Sequence, residues 1–300
     1  MKKTQIVGWM LFCGLAFGVG LGGCHRDAAL LTQLVDRPQL ADGVRMQDVR
    51  FYSEALKREM PYRVFLPANV AAGVKLPVVY LLHGNGGSYQ NWSNYSDVAK
   101  YAGAGGGMIL VMPGGESSYW VNAALKPADR FGDYLTKDLI ADVESRLPAA
   151  TGRANRAIVG VSMGGYGAVE LALTRPELFG FAGAISPAID VPSRKFSIRR
   201  WGQWQRFRTI FGDWGSETRK AEDPFLLVDR ADVGKTPYLY VTAGEEEALL
   251  EPNKRLAARL KARGFAYEFH TKPGGHDWNE WDAQIPGCFE ELMGRVKGAG

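Results

Sequence analysis

From Met46 onward, short β-branched or aromatic runs alternate with longer segments in which apolar residues return every three or four positions. Unbroken or period-two apolar runs mark strands and the 3.6-residue period marks helices. The alternation therefore predicts an α/β domain, with a mostly parallel central sheet covered by helices on both faces. Gln47 to Tyr52 and Met60 to Leu66 read as a first antiparallel pair, stopped at Pro67. Leu76 to Leu82 (LPVVYLL) and Met108 to Met112 (MILVM) are continuously apolar, as strands buried on both faces should be. Arg156 to Val161, Phe181 to Ile185, Pro237 to Val241 and Ala266 to Thr271 complete the predicted strands.

Between the strands, Trp92 to Tyr101 reads as a short helix. Tyr134 to Leu147 carries Leu135, Leu139, Val143 and Leu147 at steps of four and ends at Pro148. A third helix runs from Met163 to Thr174 and stops before Pro176. Residues 190–232 break the alternation, with Trp201, Trp204, Phe207, Phe211 and Trp214 set among many Arg and Lys. Two outcomes are open for this segment: its aromatics pack on the domain, or it forms a cap, because long insertions in compact domains tend to be lids or binding loops.

The chain opens with a different pattern. MKKTQIVGWMLFCGLAFGVGLGGC has two lysines and then no charge from Thr4 to Cys24, the form of an export signal. Its end, Leu21-Gly22-Gly23-Cys24, resembles the lipobox of bacterial lipoproteins, where the cysteine carries lipid. That resemblance implies an export signal over 1–23 and an exported protein, periplasmic or at the cell surface, held to a membrane through Cys24. An uncleaved membrane anchor and an ordinary signal peptide with a chance cysteine are the alternatives. The following residues mix charge, Pro38 and Gly43 without a sustained period and read as a tether over 24–45, ahead of a folded domain over 46–297.

Composition narrows the function classes. With 46% hydrophobic and 23% charged residues the chain is ordinary globular protein. The formal charge of +4 includes Lys2 and Lys3 of the leader, so the domain lacks the basic excess of a nucleic-acid binder. Of three cysteines, Cys13 and Cys24 lie at the leader, leaving Cys288 without an intradomain partner. With no C-x-x-C or Cys/His cluster, neither a metal nor a cofactor is expected.

One motif carries chemistry. Gly160-Val161-Ser162-Met163-Gly164-Gly165 fits G-x-S-x-G, preceded by an apolar strand (AIVGV) and followed by an amphipathic helix (YGAVELAL). A serine on such a sharp strand-to-helix turn stands exposed above the sheet as a nucleophile, and the N–H of Met163 is a natural oxyanion donor. Serine needs a general base. Four histidines are present: His25 sits beside the lipid site, His83 in a glycine-rich loop after LPVVYLL, and His270 inside a predicted strand. His276 follows the last predicted strand in a turn before the last helix, where this architecture delivers its base. The orienting acid belongs after the preceding strand, where Glu245, Glu246 and Glu247 follow Gly244 and no aspartate occurs between Asp232 and His276. Spacing leaves the choice among the three open.

With these residues in place, the chain from about Met46 to Met293 resembles the esterase D family, which includes S-formylglutathione hydrolases, feruloyl esterases and mycolyltransferases. The motifs YSEALKREMPYRVFLP, LLHGNGGSYQNW, GVSMGGYGAVELAL, TAGEEEALLEPNKRLAARLKARG and PGGHDW carry the likeness in order. The resemblance implies the α/β-hydrolase fold and a Ser-acid-His triad, with Glu247 as the acid three residues after Gly244 and Glu246 as the fallback. It also makes the Asn85 N–H the second oxyanion donor. The expected substrates are small-molecule or glycan esters, with feruloyl or carbohydrate esters foremost. Trp92 and Trp278, near the oxyanion loop and the histidine, have two readings: they line an aromatic or sugar-binding cleft, or they pack in the core. Transfer of the acyl group to a sugar hydroxyl, hydrolysis of siderophore esters and a non-catalytic surface binding lipoprotein are the alternatives.

Overall fold

The computed structural model describes residues 35–194 and 201–296. Contacts divide the chain into residues 1–36 and 37–300, and the second unit carries the described strands and helices. The leader, Cys24 and the tether as far as residue 34 lie outside the described residues. Residues 37–45, expected as tether, belong to the folded unit: the Gln39 N–H donates to the Ser93 carbonyl at 2.7 Å, and a strand already begins at Val44.

The strands are β1 (Val44–Ser53), β2 (Arg58–Pro67), β3 (Val78–Leu82), β4 (Ile109–Pro113), β5 (Arg156–Val161), β6 (Phe181–Ile185), β7 (Tyr238–Gly244) and β8 (Tyr267–Lys272). They form one sheet in the order β1-β2-β4-β3-β5-β6-β7-β8. β2 pairs antiparallel with β1 and β4, and every pairing from β4 to β8 is parallel. The helices are α1 (Asn91–Tyr95), α2 (Ala99–Gly103), α3 (Phe131–Asp133), α4 (Ile140–Arg146), α5 (Met163–Thr174), α6 (Trp201–Phe211), α7 (Glu217–Ala221), α8 (Pro224–Arg230), α9 (Leu250–Arg263) and α10 (Trp278–Arg295). This is the α/β-hydrolase fold, a mostly parallel sheet between two helical layers.

The unbroken apolar strands are explained by what each face meets. Successive side chains of a strand point to opposite faces, so Val78, Tyr80 and Leu82 enter the core shared with α4, α5, α8 and α9, while Val79 and Leu81 enter the one shared with α1, α2 and α10. Each fully buried Val or Leu contributes about 1.5–3 kcal/mol.

The predicted helix over 92–101 is two helices. At the break Ser96 is extended, and its Oγ donates to the Trp92 carbonyl at 2.6 Å, a side-chain bond that competes with helix continuation. The run predicted from Tyr134 is also longer, opening with α3 and passing through a π-helical stretch, Tyr134–Leu139, before α4. In the 190–232 segment the aromatics divide: Phe207 and Phe211 are buried against Tyr119, whereas Trp201 and Trp214 are exposed.

Candidate active site

Five loops leave the carboxyl ends of β3, β4, β5, β7 and β8, the edge where open α/β sheets assemble their sites. Ser162 follows β5 at once. Its φ of 55° and ψ of −111° lie outside the comfortable regions for an L-residue, a strain of roughly 1–3 kcal/mol that persists only where surroundings over-determine the turn. They do. A Cβ at Gly160 would stand 2.1 Å from the Gly164 carbonyl carbon, and one at Gly164 would stand 2.2 Å from the Leu82 carbonyl oxygen. The Ser162 N–H donates to the Ile185 carbonyl and its own carbonyl accepts from Ala188, so β6 fixes the elbow from the side.

His276 enters from the loop after β8, and α10 begins directly behind it, capped by Asp277 accepting from the N–H groups of Asn279 and Glu280. The imidazole Nε2 lies 2.8 Å from Ser162 Oγ and Nδ1 lies 2.6 Å from Glu247 Oε2. With Nδ1–H donating to the carboxylate, Nε2 is free to accept the serine hydroxyl proton. The side chain of Glu247 is fully buried and that of His276 is 34% exposed, so one end of the series is dry and the other reaches solvent. Glu247 Oε1 accepts the Gly244 N–H at 3.0 Å. Glu246 is exposed, and exposed Glu245 accepts from the Thr271 hydroxyl instead.

The loop after β3 brings Asn85 beside the elbow, where a Cβ at Gly84 would be 3.4 Å from Ser162 Cβ. Among the described residues the Asn85 N–H donates to no protein acceptor. Met163 is the first residue of α5, where N–H groups have no intrahelical partner. His83 braces this loop. Gly115 donates its N–H to Nε2 at 2.9 Å, so the ring proton sits on Nδ1 and donates to the Gly84 carbonyl at 2.8 Å. In a trans peptide the carbonyl and the next N–H point in opposite directions, so holding the Gly84 carbonyl aims the Asn85 N–H. Burial pushes the His83 pKa down to about 4, keeping the brace neutral.

Of the two readings open for Trp92, cleft or core, the cleft reading is corrected. Trp92 is 1% exposed and packs edge-on against Trp278 at 5.5 Å, so it belongs to the core. Trp278 is half-buried between Trp92, Tyr95 and Trp281. The tryptophan that meets the imidazole is Trp281, perpendicular to His276 at 5.0 Å. Its signal was the three-residue spacing from Trp278, which puts both on one face of a helix.

A family model described as putative esterase matches residues 53–292. The chain is 27% identical over 259 residues to an acetyl esterase of Caldicellulosiruptor saccharolyticus, covering 82% of this chain and 97% of that one. Among solved structures it is similar to FphF, a fluorophosphonate-binding serine hydrolase of Staphylococcus aureus, with a TM-score of 0.72, 24% identity, and 83% and 98% of the two chains covered. A ferulic acid esterase superposes with a TM-score of 0.72 at 22% identity, covering 87% of this chain and all of the other.

Proposed function

This chain belongs to the putative-esterase family, and from that membership we propose that Ser162, His276 and Glu247 are the nucleophile, general base and orienting acid of a carboxylic ester hydrolase. The observation that carries the assignment is the unbroken series Glu247 Oε2, His276 Nδ1, His276 Nε2, Ser162 Oγ, with contacts of 2.6 and 2.8 Å.

In this reading Ser162 Oγ attacks the ester carbonyl while His276 Nε2 takes its proton, and Glu247 steadies the imidazolium. The carbonyl oxygen gathers charge facing the N–H groups of Asn85 and Met163. His276 protonates the departing alcohol, leaving an acyl-serine. Water, deprotonated by the same imidazole, attacks the acyl group and releases the acid and the free serine.

Acetyl and feruloyl groups are the proposed acyl parts, supported by the likeness to an acetyl esterase and to a ferulic acid esterase, with a sugar hydroxyl as the alcohol. Export and a lipid at Cys24 belong to the same proposal, supported by the uncharged stretch from Thr4 and the Leu21-Gly22-Gly23-Cys24 sequence. Incorporation of a labelled fatty acid, lost in Cys24→Ala, tests the anchor.

A fluorophosphonate probe tests the chemistry. Wild type is expected to label and to cleave 4-nitrophenyl acetate, and Ser162→Ala to do neither. Folded wild type that neither labels nor turns over would overturn the assignment.

A further inference from the structure

A cavity of about 260 Å³ opens beside the oxyanion loop, lined by Ser117, Ser118, Phe131, Arg206 and Ile210 among others. Two of its wall residues touch that loop directly. The Gly86 N–H donates to Ser117 Oγ at 3.3 Å, and Arg206 Nη1 donates to the side-chain oxygen of Asn85 at 3.5 Å. A substrate whose carbonyl sits at the Asn85 N–H therefore has this cavity next along the loop.

The wall is a built one. Glu116, Tyr119 and Trp120, all in the loop after β4, have φ of 49°, 56° and 64°, and left-handed conformations in bulky non-glycine residues concentrate at functional sites. Packing imposes them: Trp120 is buried edge-on against His83 at 5.1 Å, and Tyr119 is held among Tyr166, Phe207 and Phe211. The opposite wall, α6, is tied to the same region by Ala124 and Leu125 donating to the carbonyls of Ile210 and Thr209.

Charge along the cavity is compensated except at one point. Lys126 pairs with Asp129 at 2.7 Å and Glu116 with Arg58 at 2.6 Å. Among the described residues Arg206 meets no carboxylate, and its single hydrogen bond is the long one to Asn85. A planar guanidinium with donors to spare recognises carboxylate, and Phe131 and Ile210 supply apolar surface for a ring or short chain.

We propose that this cavity is the subsite for a carboxylate-bearing part of the ester and that Arg206 is its specificity-determining residue. The inference rests on the ester hydrolase reading above and adds a substrate class to it.

Two matched pairs of probes test it, one for each side of the ester bond: mono-4-nitrophenyl glutarate against 4-nitrophenyl butyrate, and 4-acetoxybenzoate against its methyl ester. The readout is the anionic-to-neutral ratio of kcat/KM. Wild type is expected to favour the anionic member in one pair, which identifies the side that enters the cavity. Arg206→Gln is expected to lower that ratio roughly tenfold, Arg206→Lys to retain part of it, and Arg206→Glu to reverse it.

If Arg206 merely steadied Asn85, Arg206→Gln would slow both members equally and leave the ratio unchanged, and that result overturns the proposal. Absence of an anionic preference in both wild-type pairs overturns it too. Wild type that labels at Ser162 and turns over the neutral esters separates either result from failure of the hydrolase reading, because such failure shows as loss of labelling and of all turnover.

Discussion

Glu247 places one carboxylate oxygen 2.6 Å from His276 Nδ1 and gives the other to the Gly244 N–H at 3.0 Å. The turn thus fixes the carboxylate before the carboxylate fixes the imidazole. Glu247→Gln keeps the shape and removes the charge that steadies the imidazolium. It is expected to lower kcat by roughly a hundredfold to ten-thousandfold with little change in KM. Exposed Glu246→Gln is expected to match wild type. Steady-state kinetics of the two variants decide, and the reverse ranking would move the role to Glu246.

In the proposed reaction His83 acts as a positioning residue. Replacing it with Gln removes the rigid link between the Gly115 N–H and the Gly84 carbonyl, so kcat is expected to fall roughly tenfold or more while fluorophosphonate still labels Ser162. Its pKa adds a stability signature. The folded-state value is depressed from 6.5 to about 4, so the stabilisation is complete above pH 6.5. As pH falls toward 4 the unfolded chain takes up a proton that the fold refuses, at a cost of roughly 3 kcal/mol. Urea unfolding at pH 4.5 and 7.5 should show wild type losing more stability on acidification than His83→Gln.

On the alkaline side the carboxyls of buried Glu170 and half-buried Glu222 contribute. Burial raises both, and the charge of Glu170 raises Glu222 further. Because the folded-state values lie above the ordinary glutamate value of 4.5, the stability is full below that pH. It is lost as pH rises until the buried groups ionise. Glu170→Gln is expected to melt higher than wild type above neutrality and to show a flatter melting temperature against pH. A lower melting point at pH 8 would mean that the fold uses the ionised form.

Gly164→Ala puts a methyl carbon 2.2 Å from the Leu82 carbonyl oxygen, which no rotamer relieves. A loss of about 3 kcal/mol or more is expected, because the β3 backbone must shift. Gly294 in α10 has nothing within 4 Å of its added carbon, and Gly294→Ala is expected to gain about 0.5–1 kcal/mol. Thermal unfolding of both variants checks the contrast.

How much of this was legible beforehand depended on how local the causes were. β3 and β5 stood out because both faces are buried, so the apolar pattern is unbroken. Ser162 and His276 emerged because the chemistry needs few residue types and the chain has four histidines. Glu247 was separated from its neighbours only by family frame, since the capture of Oε1 by Gly244 is a property of the folded turn. The left-handed backbone at Glu116, Tyr119 and Trp120 left no trace, because none of the three is a glycine. Arg206 and Asn85 are 121 positions apart in sequence, a separation across which periodicity carries no information.

Ser162 grows from β5, which is buried inside the sheet, whereas His276 hangs from β8, which among the described residues is an edge strand pairing with β7 alone and is exposed at its site end. The two halves of the proposed proton transfer thus rest on supports of unequal durability. Fraying of an edge strand costs far less than global unfolding, so warming should strip the enzyme of its base while the nucleophile elbow is still intact. Inactivation is then expected to run ahead of the loss of helical signal and to reverse on cooling.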